Sequence, residues 1–129
     1  MGDAMKKPTV LVVEDEAMLR EAYQHVLNYK GYNVHVAANG LEGLTQLKKV
    51  KPDIVLLDVL MPQLDGIGFL KQANIKQDYP KTKVVACTNL SDSETRDQML
   101  SLGADRQVLK ADLSPAQLMA LIEELSPRT

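Results

Sequence analysis

Short apolar runs alternate with segments of helical spacing along almost the whole chain. Runs such as Val10–Val13 and Ile54–Leu57 suit buried strands, and the segments between the runs repeat apolar residues at helical intervals. Repeated strand–helix units of this kind place helices on both faces of a parallel sheet. The pattern therefore predicts an α/β fold with a doubly wound, five-stranded parallel sheet. The predicted strands lie near residues 8–13, 32–37, 53–57, 82–87 and 105–109, and the predicted helices near 16–29, 40–50, 65–77, 92–101 and 115–125.

The polarity of each run indicates its place in the sheet. The first, third and fourth runs are continuously apolar, as expected of central parallel strands buried on both faces. The second run, Tyr32–Val36, alternates in polarity and is predicted to form an edge strand. Turn and capping residues agree with these boundaries, since Gly31 is placed to end the first helix and Asn39 to begin the second. Ser91–Glu94 and Ser114–Pro115 are further predicted helix starts.

Length and composition limit what the chain can be. Its 129 residues fit one domain, predicted as residues 8–126 between short tails at 1–7 and 127–129. Fifteen Lys and Arg against 17 Asp and Glu give a net charge of −2, which offers no bulk attraction to nucleic acid or to an anionic membrane. No apolar stretch approaches the roughly 18 residues that span a bilayer. The single Cys87 excludes an internal disulfide. We expect a soluble, cytoplasmic protein.

Polar residues with useful chemistry stand directly after the apolar runs. They are three carboxylates, a hydroxyl and an ammonium: Glu14, Asp15, Asp58, Thr88 and Lys110. Because the carboxyl ends of parallel strands meet at one edge of an open sheet, where α/β proteins bind ligands, we expect these side chains to share one crevice.

The segment Asp58–Gly66 resembles the phosphoacceptor motif of response-regulator receiver domains, an aspartate followed by Met-Pro and then Asp-Gly. Glu14–Asp15 resembles the acidic pair of that family, Thr88 its switch hydroxyl and Lys110 its lysine. The resemblance covers residues 8–126 and implies a flavodoxin-like three-layer sandwich with strand order 2-1-3-4-5. It also implies a role in two-component phosphorelay signalling, as in chemotaxis regulators.

The resemblance implies that Asp58 accepts a phosphoryl group from a sensor histidine kinase or a phosphotransfer protein. An attacking aspartate must overcome repulsion between its own charge and the oxygens of the donor, and a divalent cation removes that obstacle. Mg²⁺ prefers oxygen ligands. Those implied here are the carboxylates of Asp15 and Asp58 and the backbone carbonyl of Leu60, with Glu14 holding a metal-bound water. Lys110 supplies a second positive charge at the phosphoryl oxygens and pairs with Asp58 before phosphorylation.

Thr88 is implied to donate to a phosphoryl oxygen after the loop beyond the fourth strand moves inward. Phosphorylation adds roughly −1.5 to −2 charges, enough to bias that loop and the helix at 92–101 between two arrangements. In receiver domains an aromatic residue three positions before the lysine turns inward with this change, and here that switch position is Gln107. The face formed by residues 92–125 is the implied binding surface for a downstream protein or output domain. The protein is expected to be a monomer or a weak dimer.

Several positions depart from the family pattern. Gln107 places an amide in an apolar pocket, where it needs hydrogen-bond partners. Ala111 stands where receivers commonly have a proline, often with a cis peptide; a non-proline cis bond costs about 2.5–4 kcal/mol, so this bond is either strained or trans. Asn89 stands where receiver domains usually have a small residue such as alanine. Leu60 and Leu90 occupy positions that often tune dephosphorylation, and because neither orients a water, we predict slow loss of phosphate.

Three functional classes follow from these observations. The favoured one is a phosphorylation-controlled binding module, which catalyses only its own phosphorylation and dephosphorylation. The second is an aspartyl-phosphate hydrolase, but such enzymes usually place a second aspartate two residues after the nucleophile, where this chain has Leu60. The third is a receiver-shaped scaffold whose partner binding ignores phosphate, and the altered switch position Gln107 makes it the serious alternative.

Overall fold

The computed structural model describes residues 7–89 and 93–127. The strands in these ranges form one parallel sheet in the order β2-β1-β3-β4-β5. The strands are β1 Thr9–Val13, β2 Asn33–Ala37, β3 Ile54–Asp58, β4 Lys83–Thr88 and β5 Arg106–Leu109. The helices are α1 Ala17–Tyr29, α2 Gly40–Val50, α3 Gly66–Ala73, α4 Ile75–Asp78, α5 Ser93–Ser101 and α6 Pro115–Leu125. A 3₁₀ turn, Lys110–Asp112, joins β5 to the last helix.

The apolar character of each run agrees with its place in the sheet. Every residue of β3 is buried, and β1 and β4 are buried beyond their first residues. These are the three inner strands, as predicted. The second strand, Asn33–Ala37, is only partly buried and lies at an edge, which confirms the prediction from its alternating polarity. The fifth strand, β5, lies beside β4 and forms the other edge of the sheet.

Two helical layers cover the sheet. On one face, Leu11 and Val13 of β1 pack with buried residues of α2 to α5, among them Leu47, Phe69 and Met99. On the other face, alternate residues of the same strand pack with α1 and α6, through side chains that include Tyr23, Leu27, Leu118 and Ile122. The result is the predicted three-layer, flavodoxin-like sandwich. Within the described ranges, no helix has both the length and the apolar character that crossing a membrane requires.

Capping residues begin the helices at the predicted positions. Asn39 accepts a hydrogen bond from the Glu42 backbone N–H, and Ser114 forms a reciprocal capping box with Gln117. Gly31, at φ 91°, stands just past the end of α1 as expected. The predicted start at Ser91–Glu94 lies largely outside the described residues, which resume at Ser93.

The prediction of one helix over residues 65–77 was wrong. α3 ends at Ala73, Asn74 adopts a left-handed conformation with φ 52°, and α4 follows at Ile75–Asp78. Asparagine tolerates this conformation better than most residues, and its backbone N–H still bonds to Leu70 while its side chain reaches Gln77. Apolar residues continue on both sides of Asn74, so periodicity alone did not reveal the break.

Gly66 positions the loop that follows β3. A Cβ added there would lie 2.8 Å from the carbonyl oxygen of Asp58 and 2.9 Å from Cα of Val59. The Gly66 backbone N–H donates to the Val59 carbonyl at 2.8 Å. The start of α3 therefore packs directly against the end of β3, and a side chain at this position would displace Asp58.

Candidate functional site

The carboxyl edge of the sheet collects the polar residues that follow the strands. Glu14 and Asp15 come directly after β1, Asp58 and Thr88 end β3 and β4, and Lys110 follows β5. Carboxylate oxygens of Glu14, Asp15 and Asp58 all lie within 4.8 Å of one another. Glu14, Asp58 and Thr88 are buried, whereas Asp15 is exposed. The crevice expected from the sequence is present, with an opening to solvent on the Asp15 side.

The Lys110 ammonium lies among these carboxylates. Its Nζ is 3.0 Å from Oε1 of Glu14 and 3.1 Å from Oδ2 of Asp58, and its side chain is only 10% exposed. Oε1 of Glu16, a residue not selected from the sequence, is 3.8 Å away. Largely buried charges are tolerated when they are paired, so Lys110 partly offsets the cost of burying the two carboxylates. The expected pairing of Lys110 with Asp58 is observed.

Hydrogen bonds from the main chain orient the carboxylates. The Glu16 N–H donates to Oε2 of Glu14 at 3.0 Å, and the Leu60 N–H donates to Oδ1 of Asp58 at 3.3 Å. Arg20 Nη1 donates to the Glu14 carbonyl at 2.9 Å and fixes the loop after β1. Each buried carboxylate thus has one oxygen held by the backbone and the other directed to Lys110.

Burial and like charge perturb the ionisation of the site. Burial raises the pKa of Asp58, the Asp15 and Glu14 carboxyl groups raise it further, and Lys110 lowers it, giving a net pKa of about 7. Burial lowers the pKa of Lys110, but the Glu14 and Asp58 carboxylates more than offset this and raise it above its ordinary value. Without a further cation, Asp58 therefore holds a proton more readily than an ordinary aspartate does.

The donor atoms fit a hard divalent cation. Three carboxylates, from Glu14, Asp15 and Asp58, converge within 4.8 Å, whereas one ammonium enters the same space. Oxygen-only donors and an excess of negative charge are what Mg²⁺ requires of a protein site. A cation bound here must compete with Lys110 for two of the carboxylates, so its affinity is set partly by that ion pair.

Comparison with known proteins agrees with this geometry. Residues 10–123 match the response regulator receiver domain. The chain belongs to this family. It is 38% identical over 124 residues to a probable transcriptional regulator, ycf27, of Porphyridium aerugineum. That match covers 96% of this chain and 50% of the relative. The chain thus spans about half the length of this curated relative.

Solved structures with the same fold include other receivers. The Vibrio cholerae chemotaxis protein CheY4 is 28% identical with a TM-score of 0.85, and the match covers 92% of this chain and 98% of that one. The signal receiver domain of a signal transduction histidine kinase from Syntrophus aciditrophicus is 30% identical with a TM-score of 0.80, covering 92% and 89%. The expected family, fold and strand order are therefore confirmed.

The residues that depart from the receiver pattern have distinct environments. Oε1 of Gln107 is buried, and no residue in the described ranges forms a hydrogen bond with it. The described residues contain no cis peptide bond, so Lys110–Ala111 is trans. Asn89 is exposed, and Leu60 is 56% exposed beside the site. Leu90 lies outside the described residues.

Sequence reasoning missed three residues around the receiver site. Glu16 contacts Lys110, Arg20 holds the loop after β1, and the Tyr23 hydroxyl is buried beneath it, without a hydrogen-bond partner among the described residues. Burial raises the pKa of Tyr23, and Cys87 and Glu14 raise it further. One signal was available: Glu16 directly precedes α1, where Ser, Thr, Asp or Asn is preferred.

Proposed function

We propose that this receiver accepts a phosphoryl group on Asp58 and uses it to switch partner binding. The observation that supports Asp58 most directly is its position at the end of β3, buried to 4% exposure, with Lys110 at 3.1 Å and two further carboxylates within 4.8 Å. Few other roles explain a buried aspartate that shares one crevice with so much negative charge and a lysine.

The reaction is a displacement at phosphorus. A carboxylate oxygen of Asp58 forms a bond to the phosphorus of a phosphohistidine, on a sensor histidine kinase or a phosphotransfer protein. The P–N bond breaks, and the imidazole nitrogen keeps the electron pair and takes up a proton. Positioning and charge neutralisation are nearly all that this transfer asks of the protein. The Lys110 ammonium, which already contacts Asp58, then pairs with the oxygens of the transferred phosphoryl group.

Mg²⁺ is the proposed cofactor. Asp15, Asp58 and the Leu60 carbonyl would hold it, with Glu14 bonded to a metal-bound water. When bound, the cation neutralises charge on the phosphoryl oxygens. Asp58 must be ionised to bind the cation, so a pKa of about 7 in the cation-free site makes cation binding depend on pH near neutrality.

Thr88 is the proposed link between phosphorylation and binding. It is buried at the end of β4 and pairs in register with Leu109, one residue before Lys110. A hydroxyl donating to the phosphoryl group from this position pulls on the adjoining loop and on α5. The proposed partner surface is the face of α5, β5 and α6, where Arg106 and Glu124 form an ion pair between strand and helix.

The same proposal sets the cellular context. We assign residues 8–126 to the receiver domain. We place the protein in the cytoplasm, where a kinase or phosphotransfer protein supplies the phosphoryl group. Relatives named as transcriptional regulators favour an output that controls transcription. This receiver would act on that output through a protein or an attached segment, since its net charge of −2 gives no bulk attraction to DNA.

Intact mass after incubation with acetyl phosphate and Mg²⁺ tests this function. We expect a gain of one phosphoryl group that is lost in Asp58→Asn and in EDTA. Purified kinase or phosphotransfer protein provides the second donor. If neither donor labels Asp58, the proposed function is refuted.

A phosphate-independent scaffold is the second candidate, and Gln107 is the observation that favours it. The amide oxygen of Gln107 is buried without a partner in the described ranges, so this side chain has an inward arrangement. If the inward arrangement is permanent, partner binding does not depend on phosphate. Comparing partner affinity for unphosphorylated and phosphorylated protein separates the two functions: equal affinities favour the scaffold.

A further inference from the structure

Glu16 is an additional carboxylate at the mouth of the acidic site. Its side chain is 64% exposed, and its Oε1 is 3.8 Å from Lys110 Nζ. Lys110 also contacts Glu14 and Asp58, so three carboxylates compete for one ammonium. Of these, Glu16 alone is exposed to an approaching donor.

The position of Glu16 is fixed by the fold. It is the N-cap residue of α1, yet its side chain makes no capping hydrogen bond. Its backbone N–H donates instead to Glu14 at 3.0 Å, and its backbone carbonyl accepts from the Arg20 N–H at 2.9 Å. A glutamate is a poor cap, and here the carboxylate is directed to Lys110 rather than to the helix.

We propose that Glu16 is a positioning residue that slows phosphorylation of Asp58 by anionic donors. The proposal rests on the proposed function of Asp58. Glu16 acts in two ways with the same sign: it draws Lys110 away from the incoming phosphoryl oxygens, and its exposed charge repels the donor.

The distances give the expected size. Oε1 of Glu16 and Oδ2 of Asp58 lie 3.8 Å and 3.1 Å from the same nitrogen, so they are at most about 7 Å apart. Repulsion between one negative charge and a dianion at this separation, in water, slows the reaction about two- to sevenfold, with the larger factor at low salt. The effect should shrink as ionic strength rises.

Acetyl phosphate provides the test. An Asp58 oxygen bonds to phosphorus, the bond from phosphorus to the acetyl oxygen breaks, and acetate leaves with the electron pair. The measurement is the rate of mass gain at saturating Mg²⁺ and limiting donor. We expect Glu16→Gln to react about two- to sevenfold faster at low salt, and to approach the wild-type rate as salt increases.

Matched variants separate charge from structure. Glu16→Asp keeps the charge and should react more slowly than Glu16→Gln. Glu21→Gln removes one charge from the same helix at an exposed position with no ion pair in the described structure, and should also leave the rate unchanged. Phosphoramidate, whose protonated nitrogen reduces its net charge, should show a smaller effect of Glu16→Gln than acetyl phosphate does. Thermal unfolding of each variant reports any loss of stability.

The outcomes are distinguishable. If wild type is labelled at Asp58 but Glu16→Gln is phosphorylated at the same rate as wild type, this inference is overturned and the proposed function of Asp58 is not. An equal acceleration with both donors, independent of salt, also overturns it, because a loosened site rather than charge would be responsible. A wild type that is not labelled at Asp58 by any donor overturns the proposed function and this inference together.

Discussion

Replacing Asp58 by asparagine should stabilise the protein at alkaline pH when divalent cations are absent. Asparagine keeps the shape of the side chain and removes one of the crowded negative charges. The ionised Asp58 side chain lowers the stability of the folded protein, and the rise in its pKa measures by how much. Burial and the neighbouring Asp15 and Glu14 raise this pKa from 3.8 to about 7. The folded protein therefore binds a proton at Asp58 over a pH range in which the unfolded chain has released it.

The sign and the size follow from this difference. Between about pH 4 and pH 7 the native state binds more protons than the unfolded state, so the contribution of Asp58 to stability falls as pH rises. A difference between 3.8 and about 7 corresponds to at most about 4 kcal/mol. Water and ions at the open mouth screen the charges, which reduces the expected effect to about 2 kcal/mol.

Urea unfolding in EDTA, followed by circular dichroism at about pH 5 and about pH 8, measures the effect. We expect Asp58→Asn to be about 2 kcal/mol more stable than wild type at the higher pH, and this advantage to be less than half as large at the lower pH. Asp97→Asn, at an exposed position on α5, is the control for loss of a carboxylate and should show no such pH dependence. A stability difference that is the same at both pH values would refute the electrostatic reasoning.

Three further substitutions test separate contacts. Lys110→Gln should bind Mg²⁺ about tenfold more tightly by calorimetry, because no ammonium competes for Glu14 and Asp58; unchanged affinity would mean that the cation does not displace Lys110. Gln107→Leu should raise the free energy of unfolding by about 1 kcal/mol, since it removes a buried acceptor without a described partner, and a loss of stability would contradict this. Leu60→Gln should speed loss of phosphate several-fold by orienting a water; a wild-type phosphoryl group that lasts only seconds would contradict the predicted slow hydrolysis.

Much of the fold was predictable because its signals are local. Continuous apolar runs are found where strands are buried on both faces, and Asn39 and Ser114 begin helices through hydrogen bonds to residues three positions away. The break at Asn74 was not predictable from periodicity, because apolar residues continue across it. The proximity of the candidate site residues was predictable to the same extent: each of them ends or directly follows a strand, and parallel strands bring those positions together.

The order of residues along the chain was enough to indicate the receiver family, the sheet and the carboxylates at its edge, because strand polarity and the Asp58–Gly66 motif are properties of neighbours in sequence. Only the folded chain decided which carboxylates share Lys110, that Glu16 is one of them, and that the amide oxygen of Gln107 is buried. These are contacts between separate strands and loops, and their distances depend on how the layers pack. Charge interactions vary steeply with distance and burial, so the electrostatics of this site depend on tertiary structure.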